Sequence, residues 1–154
     1  MIKLQPAFAS LAALVATLAA TGIHHIFRLG TELILPTAIG ITVAVALWAL
    51  YQRTGKAALL WLYGAYAALV VFWFGFLDGL LDHVAKAAGL DNITFLEGSD
   101  AEIVATKMQL WSQAATTAFY EGTGVLSALL ALLTVIFTTL YLYRELPARG
   151  ATQG

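Results

Sequence analysis

AALLWLYGAYAALVVFWFGFLDGLLDHVAKAAG, residues 57–89, begins as an apolar run to Leu77 with no charged side chain, then places Asp78, Asp82 and His83 close together. At about 1.5 Å of rise per residue, a helix of some 20 residues crosses the roughly 30 Å hydrocarbon core of a bilayer. Three further runs of that kind occupy residues 7–27, 33–51 and 123–143. The chain is therefore read as an all-α integral membrane protein, with four transmembrane helices in an up-down bundle.

The composition agrees. Over 154 residues, 60% are hydrophobic and 11% charged, with a mean hydropathy of +0.82, outside the usual balance for a water-soluble domain. The expected partner is the lipid bilayer, joined by other membrane subunits or by further copies of the chain. A formal net charge of −1 gives no basic surplus to neutralise phosphates, which argues against a nucleic-acid partner. With no cysteine, disulfides, thiolate ligands, iron–sulfur clusters and thioether-attached haem are excluded. The first apolar run extends to Phe27, too far for the apolar region of a signal peptide, and is read as an anchor helix.

The connections carry helix stop and start signals. In RLGTE, residues 28–32, Gly30 sits where a C-terminal cap belongs and Thr31 where an N-cap belongs; in QRTGK, residues 52–56, Gly55 repeats the stop. Pro36 falls near the start of the second helix, where a missing N–H costs little. Ser99 to Glu102 has the spacing of a capping box, and the apolar positions from Ile103 to Ala115 recur at helical intervals. Residues 100–120 thus read as an additional amphipathic helix on the membrane surface, or as an extension of the last span, with Gly122 and Gly124 as the break. Residues 1–146 form one domain, the long extracytoplasmic connection covers about residues 89–120, and 147–154 form a flexible tail.

Lysine and arginine set the direction. Lys3, Arg53, Lys56, Arg144 and Arg149 all fall on one side of an even number of spans, the side expected to be cytoplasmic and to hold both termini. The membrane is then a bacterial-type inner membrane. The opposite side collects most of the acidic residues and all of the histidines: His24 and His25 near the end of helix one, Asp78, Asp82 and His83 at the end of helix three, and Glu121 before helix four.

Spacing says which of these share a face. Gly75, Gly79 and His83 follow one another at i+4, and Gly-x-x-x-Gly lets two membrane helices approach closely, so that stripe should carry His83 into a helix contact. Asp78, Asp82 and Lys86 form the neighbouring stripe. His24 shares a face with Arg28, while His25 points roughly 100° away, so the two histidines are not expected to serve one site equally. Imidazoles and carboxylates together make a ligand set for copper, iron or zinc from His24, His25, Asp78, Asp82, His83 and Glu121. The same group could relay protons or an ion, or two histidines could hold a b-type haem. A non-catalytic accessory subunit of a larger membrane complex is the alternative from another class. In the plainest account, the polar residues mark the membrane boundary, Asp82 with Lys86 and Arg28 with Glu32 are ordinary surface pairs, and the glycines serve close packing. Against that account, Asp78 and Asp82 repel each other within one turn, a cost that a bound cation, a protonated partner or Lys86 would offset.

Overall fold

The computed structural model describes residues 5–90, 107–108 and 110–150, with 147–150 as backbone only. Among these residues there are helices and turns and no strand. Helix α1 covers Pro6–Leu29 and starts on a proline, whose missing N–H falls where the helix has no use for it. After a 3₁₀ turn, Thr31–Leu33, α2 runs from Ile34–Thr54. The third helix, α3, spans Ala57–Ala87, and α4 spans Gln113–Gly150. All four are long and apolar enough to cross a membrane.

Gly30 and Gly55 end their helices as expected. Gly30 has φ 114° and donates its N–H to Ile26 at 2.9 Å; Gly55 has φ 64° and donates to Tyr51 at 2.8 Å. Both backbones lie in the left-handed region where a side chain would be strained. Thr31 does not act as an N-cap: its side chain makes no capping bond, and the chain enters α2 through the 3₁₀ turn, closed by Leu33 N–H on the Gly30 carbonyl at 3.3 Å. Backbone bonds supply there what the hydroxyl was expected to supply.

The helices alternate in direction around a ring. Trp48 of α2 donates its indole N–H to Ala7 of α1 at 3.1 Å, and Tyr66 of α3 donates to Gly40 of α2 at 2.9 Å. Across α1 and α4, Ser10 meets Thr138 at 2.8 Å and Thr17 meets Thr134 at 2.9 Å. Along α3 and α4 the small-residue stripe lies flat: a Cβ on Gly75 would overlap Ala131, and one on Gly79 would meet the backbone of Ala128. The lower half of the bundle is filled by Leu14, Leu60, Tyr63 and Tyr141. The outward faces are apolar as well, with Leu35 67% and Trp61 59% exposed, and soluble monomers rarely expose large contiguous apolar patches.

Two departures from the expected helices matter for the site. The last helix is continuous from Gln113, so Gly122 and Gly124 do not break it; the proposed capping box at 99–102 and most of the stretch 100–112 lie outside the described residues, as do 151–154 of the expected tail. Within α3, the segment Val71–Val84 is wound as a π-helix, closed at its end by Ala85 N–H on the Leu80 carbonyl. Bonds from i to i+5 are rare and gather at functional sites. They make residues four and five apart neighbours along the axis, so Asp78 stands one turn from both Asp82 and His83.

Candidate metal centre

Ser10, Thr17 and His24 succeed one another at seven-residue intervals, which keeps them on the face of α1 turned to α4. His83 arrives from α3 at the end of the Gly75–Gly79 stripe. Its ring occupies the space that Gly124 leaves on α4; a Cβ on Gly124 would lie inside van der Waals contact of His83 Cγ, Cδ2 and Nε2. Gly124 is there for close approach, which explains why it does not interrupt the helix. His24, Asp82 and His83 are completely buried.

The hydrogen bonds decide which nitrogen of each imidazole carries its proton. His24 Nδ1 lies 3.1 Å from the carbonyl of Tyr120 and 3.2 Å from the hydroxyl oxygen of Thr123. The Thr123 hydroxyl already donates to backbone carbonyls, at 2.8 Å to Tyr120 and 3.0 Å to Phe119, so it offers His24 an acceptor. His24 Nδ1 must therefore be the N–H. On the other ring, His83 Nδ1 lies 2.8 Å from Glu121 Oε2, while Lys86 donates to Oε1 of the same carboxylate at 2.7 Å. A carboxylate held by a lysine ammonium is an acceptor, so His83 Nδ1 is the N–H as well. The two Nε2 atoms then present lone pairs to each other at 3.1 Å. That arrangement is repulsive unless something positive, a metal ion or a shared proton, stands between them.

Asp78 supplies the third donor. Its Oδ2 is 4.0 Å from His24 Nε2, and one ligand atom from each of His24, Asp78 and His83 falls within 4.8 Å of the others. Two nitrogens bound at about 2.0–2.1 Å to one tetrahedral metal are about 3.3 Å apart. The imidazole pair already has that separation, and the carboxylate, within 4.8 Å of both nitrogens, would need to close by at most about 1.5 Å. The Nδ1 contacts to a backbone carbonyl and to a carboxylate are the outer contacts that fix ligand histidines and raise their basicity. Tyr120 adds a ring stacked on His24 with centroids 4.1 Å apart, which restricts rotation of the imidazole.

Of the six residues expected from the sequence, His24, Asp78 and His83 form the three-donor group, and Glu121 holds the far nitrogen of His83. His25 does reach the same carboxylate, with Nε2 3.8 Å from Asp78 Oδ1. His24 and His25 thus do not serve the site equally: His24 belongs to the three-donor group and His25 does not. Asp82 is buried beside His83 and does not belong to the three-donor group. The plain surface readings of Asp82 and Arg28 also fail, since both are buried. The roles of Lys86, Tyr120, Thr123 and Gly124 were not read from the sequence. The nearest signal was the seven-residue spacing of Ser10, Thr17 and His24, which marks the face of α1 that α4 must cover.

Among the described residues, the fold and the site thus define a helical protein with four membrane-length helices and a His/Asp/His group able to hold a metal ion. No protein-family model, curated protein or solved structure matches the chain.

Proposed function

We propose that this chain is an integral protein of a bacterial-type inner membrane that binds a divalent transition metal at the extracytoplasmic end of its helix bundle. His24 Nε2, His83 Nε2 and Asp78 are the ligands; Glu121, itself held by Lys86, and the Tyr120 carbonyl orient the two imidazoles. The bilayer supplies the solvent for the exposed apolar belt, and the basic residues gathered at the other end support cytoplasmic termini.

The observation that carries the reading is the pair of Nε2 atoms facing each other at 3.1 Å while both Nδ1 atoms are committed to acceptors. Two imidazoles and one carboxylate with further positions open form a donor set used for zinc in hydrolytic sites and for iron(II) in facial triads. The group holds no sulfur donor, which disfavours copper(I) relative to zinc and iron. A haem between the two histidines is supported less well, because axial ligands sit on opposite sides of the iron, about 4 Å apart at about 2.0 Å per bond.

The test is metal analysis of purified protein, wild type beside His83→Ala, after passage over a weak chelator. The expected result is close to one zinc or iron per wild-type chain and a large loss in the variant. Equal metal in both proteins, or none in either after each metal has been offered, would overturn the reading and leave a proton as the charge between the rings.

A further inference from the structure

Helix α3 changes its winding partway along. Ala57–Val70 is α-helical and Val71–Val84 is π-helical over 14 residues, although π turns mostly come singly inside α-helices. Up to Leu77 the two parts are alike in composition, apolar with glycine or alanine between aromatic residues, so local preference does not separate them. The π winding is held by what it brings together.

Two of the three metal ligands, Asp78 and His83, lie five residues apart on this segment. On an α-helix, at about 100° per residue, they would leave the axis about 140° apart, too far round to reach one ion, and the residue standing over Asp78 would be Asp82, about 40° away. Bonds from i to i+5 put His83 there as well, with its ring in the Gly124 notch and its Nε2 3.1 Å from that of His24. The winding of this one turn thus decides whether His83 or only Asp82 stands over Asp78. A metal ion closed between Asp78 and His83 fixes the π form, and a ligand that binds one of two states better shifts the balance toward that state. Whatever follows the turn rotates with it: Lys86, which holds Glu121 at 2.7 Å, and the helix end at Ala87, before Gly89 turns the chain at φ 83°.

We infer that Val71–Val84 is a metal-responsive element: bound metal holds its outer turn in the π form, and loss of the metal lets that turn relax to α, rotating the extracytoplasmic end of α3 by about 100°. This rests on the metal-binding reading above, and the test is arranged so that the two fail separately. The chain has no cysteine, so cysteine pairs can be introduced for spin labels. One pair, Ala87→Cys with Ile34→Cys, runs from the end of α3 to the start of α2; the other, Leu69→Cys with Ile34→Cys, uses the α-wound part of α3 as the reference. All three positions are exposed. Distances are measured in detergent on chelator-stripped protein and again with zinc added, and bound zinc is counted on the same samples. A side chain about 5 Å from the axis moves about 8 Å when turned by about 100°, so the Ala87 distance is expected to shift by several ångström on zinc binding while the Leu69 distance stays. His83→Ala should abolish the shift. Zinc bound at one per chain with the Ala87 distance unmoved would overturn the inference and leave the metal centre standing. An equal shift at both pairs would overturn it as well, as a motion of the whole bundle. No bound zinc would overturn the metal reading and the inference with it.

Discussion

Gly124→Ala and Gly122→Ala differ by one helical position pair and should have opposite effects. Each replaces a glycine inside α4 by a better helix former, a gain of about 1 kcal/mol per site when nothing else changes. At Gly122 nothing lies within 4 Å of the new methyl, so that gain should appear almost whole, as a higher melting temperature in detergent with metal content unchanged. At Gly124 the methyl would overlap the His83 ring. Forcing a methyl into a packed interface costs about 1–3 kcal/mol. Displacing His83 also breaks its bond to Glu121, a charge-assisted contact of about 1.5–3 kcal/mol. Set against the helix gain, the net loss is about 1.5–5 kcal/mol. Metal affinity should fall by at least the roughly 10–100-fold that follows loss of an outer contact, because here a ligand itself is moved. Thermal unfolding with a chelator-competition titration reads both effects. A Gly124→Ala protein as stable and as metal-retentive as Gly122→Ala would refute the claim that His83 is seated in the Gly124 notch.

Other perturbations separate the site from the scaffold. Glu121→Gln keeps the shape around His83 but removes the charge shared with Lys86, so metal affinity should drop by about 10–100-fold in the same competition titration, with the far-UV helix signal unchanged. Tyr51→Phe removes a 2.6 Å bond to Glu145 at the opposite end of the bundle; stability should fall by about 1–2 kcal/mol while metal binding stays as in the wild type. For Thr17 and Thr134, whose hydroxyls meet at 2.9 Å, a double-mutant cycle to valine should return a coupling near the roughly 0.6 kcal/mol typical of hydrogen bonds between membrane helices. A coupling of zero would place that pair among incidental contacts.

The bundle was legible because its signals are one-dimensional. Four apolar runs of membrane length and glycines at the turns need no knowledge of neighbours, and the stops at Gly30 and Gly55 follow from the backbone freedom of glycine alone. The stripe Gly75–Gly79–His83 was also readable, since small residues at i+4 state which face must approach a partner. What lay beyond reach depended on the partner helix. Gly124 looks like a helix breaker until the ring that fills its place is known, and the 2.7 Å contact of Lys86 with Glu121 of α4 is not written in the spacing of α3. The π-helical winding left no mark in the hydrophobic pattern, because positions four and five apart are apolar or small on both templates over much of that segment. It nevertheless decides that Asp78 sits beside both rings.

The central claim, that two imidazoles and one carboxylate hold a single metal ion, is tested most directly by X-ray absorption at the metal edge of the purified, metal-loaded protein. The account predicts a first shell of nitrogen and oxygen at about 2.0–2.2 Å, with the outer-shell scattering of two imidazoles and no sulfur. A shell of oxygen alone, or of a single imidazole, would contradict it.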